Sequence, residues 1–118
     1  MTQYIGKVRI SVNGAVLDSK PGASIDIGGV MRDSVVNDQK MGYMETPRPS
    51  RIECEVALAR GASVEPLRTL TDGTAVFECD TGQRYIVKDA FTSETLVITG
   101  GQGYKLVIMG EPAQEVTG

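Results

Sequence analysis

Apolar and polar residues alternate in several short runs along the chain. Residues 8–12 read Val-Arg-Ile-Ser-Val, and residues 52–58 place Ile52, Cys54, Val56 and Leu58 opposite Glu53, Glu55 and Ala57. A period of two is typical of a strand with one buried face. The same reasoning predicts strands at 6–12, 15–18, 23–27, 51–58, 74–79, 83–90, 95–99 and 104–109.

Turn and helix signals complete this picture. Asn13-Gly14 supplies the two positive-φ positions of a type I′ turn and predicts a hairpin. One short helix is predicted from Ser63, as the N-cap, to the Asp72-Gly73 break, with Leu67 and Leu70 on one face. The predicted fold class is mainly β, an antiparallel β-sandwich or barrel with one short flanking α-helix.

Two segments stand apart from the alternating runs. Residues 32–41 are largely polar and are interpreted as a surface loop or as the tip of a long hairpin, with the whole feature covering about 32–44. Pro47 and Pro49 then force extended backbone. A polar C-terminal tail is expected at about 111–118. With 118 residues, the chain is expected to form a single domain.

Composition excludes several functions. The net charge of -3 argues against the basic surface that nucleic-acid binding requires. Histidine is absent, so neither Ser-His nor Cys-His catalysis is available. Cys54 and Cys79 occupy apolar-facing strand positions and are expected to be free thiols of a protein made in the cytoplasm. No apolar run approaches the ~18 residues of a membrane span, and no cofactor is expected.

The carboxylate pairs Glu53/Glu55 and Glu78/Asp80 are the only candidates for metal or acid–base chemistry. Residues two apart on a strand share a face, so each pair is able to cluster. Acidic residues on a solvated strand face are common, however, and no other catalytic group supports them. We therefore expect neither a metal site nor catalysis, and an acid–base hydrolase is the weakest interpretation.

An ordered series of segments resembles a known family. The series is Gly28-Gly29, Arg32, the polar segment, Gly42-Tyr43, Glu45-x-Pro47-x-Pro49, the strand from Ile52, the helix with Leu67 and Leu70, Phe77-Glu78-Cys79-Asp80-Thr81-Gly82-Gln83-x-Tyr85 and Asp89-Ala90. These residues resemble the tail tube protein of Mu-like bacteriophages and prophages. The segment from Phe77 to Gln83 is the most specific part.

The resemblance implies a structural protein and not an enzyme. Tail tube proteins and the related tube protein of type VI secretion are small β-sandwiches flanked by a helix. Six copies form a ring, the inner sheets join around a lumen, and rings stack into a tube that delivers DNA. Mu-like tails are contractile, so a sheath protein would surround the tube. A tape measure protein and passing DNA would occupy the lumen without specific binding, in a virion assembled in the host bacterium.

The resemblance also assigns roles to particular residues. An acidic lumen would repel DNA phosphates, and the candidate lumen-facing carboxylates are Glu53 and Glu55 first, then Glu78 and Asp80, although Asp80 also fits a turn-shaping role. A long loop or hairpin of the family reaches a neighbouring subunit or ring. The matching candidates here are Arg32, Asp33, Asp38, Lys40, Tyr43 and Met44. The alternative is a β-sandwich binding module of a phage tail or baseplate that does not form a tube.

Overall fold

The computed structural model describes residues 2–3 and 5–117, which form eleven strands and one short helix. The elements in chain order are β1 (Val8–Val12), β2 (Ala15–Val16), β3 (Ser24–Asp26), β4 (Gly29–Asn37), β5 (Lys40–Arg48), β6 (Ser50–Val56), α1 (Glu65–Arg68), β7 (Gly73–Cys79), β8 (Gln83–Thr92), β9 (Ile98–Thr99), β10 (Gly103–Gly110) and β11 (Gln114–Thr117). All strand pairs are antiparallel.

Two sheets form the body of the molecule. Sheet 1 has the order β2-β1-β7-β8-β11, and sheet 2 has the order β3-β6-β10, with β9 and the end of β8 on the far side of β10. Alternate residues of both sheets enter one core, among them Ile10 and Phe77 from sheet 1 and Ile52, Leu106 and Ile108 from sheet 2. The predicted β-sandwich with one short helix is therefore confirmed.

Strand β8 belongs to both sheets. Its first part pairs with β7 and β11, whereas Phe91 and Thr92 pair with Met109 and Ile108 of β10. Between the two parts the pairing register shifts, and Asp89 takes a φ of 52°. A bulge of this kind bends a strand and lets it pass from one sheet to another.

The remaining strands, β4 and β5, pair only with each other among the described strands and form a third, two-stranded sheet. We call residues 29–48 the arm. The arm follows β3 and precedes β6 in the chain, and it extends beyond the body. The whole molecule measures 63 × 41 × 25 Å. The radius of gyration is 17.0 Å, against roughly 13.5 Å for a compact chain of this length. The arm accounts for this extended shape.

Several local predictions are confirmed, and others are wrong. Asn13 and Gly14 have φ values of 51° and 85° in the turn joining β1 to β2, as a type I′ hairpin requires. The predicted strand at 95–99 is reduced to Ile98–Thr99. The polar segment at the C-terminus contains β11, which pairs with β8 along Gln83–Ile86.

The helix prediction is wrong in its start and its length. The N-cap is Val64 and not Ser63, whose hydroxyl instead accepts a bond from the Glu65 amide at 3.3 Å. The helix ends at Arg68 because Thr92 of β8 forms hydrogen bonds with the backbone carbonyls at and beyond the helix end. The Thr92 hydroxyl donates to the carbonyl of Leu67, and the Thr92 amide donates to the carbonyl of Leu70 at 3.2 Å.

Candidate assembly surfaces

The arm exposes apolar side chains on both of its faces. Every residue from Val30 to Arg48 is exposed. Strand alternation and the β4–β5 register place Val30, Val36, Met41 and Tyr43 on one face. Met31, Val35 and Met44 lie on the other face. A two-stranded hairpin is marginally stable in water by itself, so an arm of this composition is suited to burial between other surfaces.

The residues proposed as connectors all lie in the arm. Arg32 lies opposite Glu45, with 4.0 Å between Nε and Oε1, and its guanidinium lies 5.6 Å from the centre of the Tyr43 ring. Asp33 lies opposite Met44 on the other face. Surface ion pairs contribute at most about 1 kcal/mol, so these contacts orient side chains more than they stabilise the arm.

The tip of the arm holds the remaining two of these candidates. Asp38 takes a φ of 54° in the two-residue turn, and Lys40 opens the returning strand opposite Asn37. Next to Lys40, Met41 lies directly across from Val36. Val36 and Met41 are 69% and 80% exposed, the two highest values among the exposed large apolar residues of the described chain.

The base of the arm is built tightly against strand β6. Asp26 accepts a hydrogen bond from the Gly28 amide at 3.0 Å, and Gly28 and Gly29 have φ values of 76° and 103°. A Cβ on Gly28 would lie 2.6 Å from the Pro49 carbonyl group. Ser50 is fully buried and donates to the Glu111 carbonyl at 2.7 Å. Only glycine permits this close approach of the two chain segments.

Glu53 and Glu55 lie on the outer face of sheet 2, opposite the core. The face also carries Arg51, and Lys105 lies across from Glu55. Arg51 Nε donates to Glu53 Oε1 at 2.6 Å, and a second guanidinium nitrogen lies 3.3 Å from Glu94 Oε1. The bond to Glu53 raises the pKa of Arg51 above its ordinary value. The three acidic side chains here, Glu53, Glu55 and Glu94, outnumber the two cations, Arg51 and Lys105. Glu53 is paired with Arg51, and Glu55 is exposed.

Glu78 lies in β7 of sheet 1, on the other side of the sandwich, and Asp80 lies in the turn that follows β7. Glu78 is flanked in register by Arg9 and Arg84. The Asp80 carboxylate accepts hydrogen bonds from the amides of Gly6 and Lys7, at 3.2 and 3.1 Å. Asp80 thus holds the chain leading into β1. The two carboxylate pairs are on different sheets, so they do not share one surface.

A further surface was not anticipated from the sequence. A groove of about 380 Å³ lies between the β1–β2 turn, the segment after β6 and helix α1. We call it the terminal groove. Its lining is largely apolar and includes Val16, Leu17, Leu58, Pro66 and Tyr104, with Asp18 as its charged member. The available signal was two exposed apolar residues, Val16 in the two-residue strand β2 and Leu58 just beyond the end of β6.

The described residues show no arrangement suited to metal or redox chemistry. Within 2–3 and 5–117, no three carboxylate or thiol side chains come together as a metal site would require. Cys54 and Cys79 are free and buried, and burial raises the pKa of the Cys54 thiol to about 11. Among the same residues, no helix is long and apolar enough to cross a membrane.

Comparison with known proteins gives consistent relatives. A family model described as phage tail tube protein matches residues 1–114. The Mu-like prophage FluMu tail tube protein of Haemophilus influenzae is 31% identical over 105 residues, which cover 89% of each chain. The tail tube protein of Escherichia phage Mu is 26% identical over 114 residues, covering 97% of this chain and 96% of the relative.

Proposed function

Because this chain belongs to the phage tail tube protein family, we propose that six copies form a ring and that rings stack into the tube that delivers phage DNA. The protein is a structural component of the virion tail and not an enzyme. In the proposed assembly a sheath surrounds the tube, and the tape measure protein and then DNA occupy its lumen. Synthesis takes place in the host cytoplasm.

The observation that carries this proposal is the arm. Its strands pair only with each other, and its two faces both expose apolar side chains. A surface of this kind is stabilised by contact with further copies of the chain. We assign Arg32, Asp33, Asp38, Lys40, Tyr43 and Met44 to that contact.

The edges of the two sheets are where ring closure by strand pairing would take place. Strand β3 has only three residues and forms an edge of sheet 2, and β2 has two residues at an edge of sheet 1. Pairing such an edge with a neighbouring copy satisfies its free backbone groups and removes a site for uncontrolled aggregation. Head-to-tail pairing around an axis gives a closed ring when the rotation closes.

The outer face of sheet 2 is the better candidate for the lumen. Glu53 and Glu55 lie there, and Asp26 lies across from Arg51 on the adjacent strand. Glu78 lies between two arginines in register, and the Asp80 carboxylate is bonded to backbone amides. An excess of carboxylates in the lumen would repel DNA phosphates and keep the genome from adhering.

Electron microscopy of the concentrated protein tests the assembly. Negative staining should show rings with six-fold symmetry, or tubes with a central channel. Particles that remain monomeric at every concentration would support the alternative, a tail or baseplate module that does not form a tube.

Charge reversal tests the lumen assignment. Glu55→Lys should permit tubes but reduce DNA delivery, measured as infectivity per assembled tail. Glu78→Lys is the matched control, because each change places a lysine opposite a cation on a neighbouring strand. The double variant Glu53→Lys/Glu55→Lys should be more severe. Equal infectivity of Glu55→Lys and wild-type tails would contradict the assignment.

A further inference from the structure

We propose that the tip of the arm of one subunit docks into the terminal groove of another subunit. This inference rests on the proposed self-assembly and names the two surfaces that meet. The tip contributes Val36 and Met41, and the groove contributes an apolar wall that includes Val16, Leu58 and Pro66.

The two surfaces lie at opposite ends of the body. Strand β6 starts at Ser50, beside the base of the arm, and ends at Val56, which lines the groove. The six steps between these seven residues, at ~3.3 Å each, separate the ends by roughly 20 Å. The arm points away from the body for about 26 Å, the length of a nine-residue strand. A projection at one end and a recess at the other are the geometry of head-to-tail association.

The groove fits an apolar occupant. Tyr104 and Leu67 form its buried part, and Val16 and Leu58 are exposed beside them. The groove has a volume of about 380 Å³ and is open to solvent, so water occupies it in the free subunit. Replacing this water by side chains removes apolar surface from water on both partners, which favours association.

The tip presents a matching occupant. Val36 and Met41 face each other across the hairpin, so they form one apolar projection. Met adapts its shape to irregular recesses because its side chain is unbranched and flexible. The turn residues beyond this pair are polar and would remain at the margin of the contact.

Charge fixes the register of the contact. Asp18 is the charged residue of the groove lining, and Lys40 is adjacent to Met41 at the tip. Lys40 and Met41 alternate along β5 and lie on opposite faces of the arm, so insertion of Met41 leaves the lysine at the rim of the groove, where its long side chain can reach Asp18. Complementary charges at the rim of an interface contribute mainly to specificity and association rate.

Disulfide trapping tests the contact directly. Both native cysteines are buried, so an introduced cysteine is the reactive thiol of each variant. Met41→Cys protein and Val16→Cys protein are mixed, assembled and mildly oxidised. We expect a disulfide-linked heterodimer that increases on assembly. Lys88→Cys, at an exposed position of sheet 1, replaces Val16→Cys in the control mixture and should give little heterodimer.

Other products would overturn the proposal. Linkage of Met41→Cys to itself in assembled tubes would show that arms pair with arms. Efficient linkage to Lys88→Cys would place the arm on the outer face of sheet 1. If wild-type protein forms no rings or tubes, the proposed function fails, and cross-linking in concentrated solution still decides between these contacts.

A charge exchange provides a second test that needs no new thiol. Asp18→Lys or Lys40→Asp alone should raise the protein concentration needed for assembly by about fivefold, as expected for loss of an ion pair of ~1 kcal/mol. The double variant restores the pair in reverse and should assemble at nearly the wild-type concentration. Additive defects in the double variant would refute the pairing.

Discussion

Replacing Gly28 by alanine should destabilise the protein far more than replacing its neighbour Gly29. Gly28 has a φ of 76°, and an added Cβ would lie 2.6 Å from the carbonyl carbon and oxygen of Pro49 and 2.7 Å from the Ser50 amide. Gly29 has a φ of 103°, but a Cβ added there would have open space within 4 Å. The pair separates backbone strain from steric overlap.

The magnitudes follow from these two causes. A positive φ costs an alanine about 1–2 kcal/mol relative to glycine. Overlap with the backbone of Pro49 and Ser50 adds about 2 kcal/mol, because Ser50 is fully buried and its strand cannot shift without disturbing the core. Gly28→Ala should therefore lose about 3–4 kcal/mol of unfolding free energy, and Gly29→Ala about 1–2 kcal/mol.

Urea denaturation of dilute protein, followed by far-ultraviolet circular dichroism, measures both losses because tryptophan fluorescence is unavailable in a chain without Trp. Gly42→Ala provides the baseline, since Gly42 lies in the arm with a φ outside the left-handed region and open space around it. It should change stability by less than about 1 kcal/mol. Equal losses for Gly28→Ala and Gly29→Ala would refute the steric argument.

Three further predictions concern the body. Ser50→Ala should cost about 1 kcal/mol in urea denaturation, because it leaves the carbonyl of Glu111 without its 2.7 Å partner; an unchanged midpoint would contradict this. Asp80→Ala should lower the melting temperature by removing the acceptor of the Lys7 amide, whereas a melting temperature equal to wild type would deny it a structural role. The pKa of the Cys54 thiol is about 11 in the folded protein against an ordinary 9.0, so folding favours the protonated thiol. The stability that this preference provides is present in full below pH 9 and is lost as the pH rises towards 11, with about 1 kcal/mol lost at pH 10. Cys54→Ala should show a correspondingly smaller loss between pH 8 and pH 10, and identical pH profiles would argue against it.

The strands of the body could be predicted where one face is buried and the other is exposed to solvent. Residues 51–56 alternate because Ile52, Cys54 and Val56 enter the core while the residues between them face outward. The Asn13-Gly14 turn was equally predictable, since few residues accept two successive positive φ values.

The arm was predicted only as one of two alternatives, a surface loop or the tip of a long hairpin at about 32–44, and the structure shows a hairpin over residues 29–48. The two alternatives stayed open for a physical reason. Val35-Val36 and Tyr43-Met44 place apolar groups on both faces, so a period of two never appears. Strand β11 was missed because its polar residues join sheet 1 by backbone pairing with β8 and not by burial of an alternating face.

Contacts between residues distant in the chain could not be predicted from the sequence either. The helix signals at Ser63 and Glu65 describe local preference, but Thr92, distant in the chain, ends the helix after Arg68. Likewise, the spacing of Glu53/Glu55 and Glu78/Asp80 gives each pair a common face without revealing that the pairs belong to different sheets. Sheet membership depends on strand order, which local alternation does not encode.

The continuous strand β8 makes the two sheets one mechanical unit. A shear load that pushes one sheet along the other acts on the covalent backbone of Gln83–Thr92 as well as on side-chain packing. Sliding would also have to break hydrogen bonds to β7 or to β10. A tail tube protein built in this way transmits force from one of its surfaces to the other without its two sheets yielding separately.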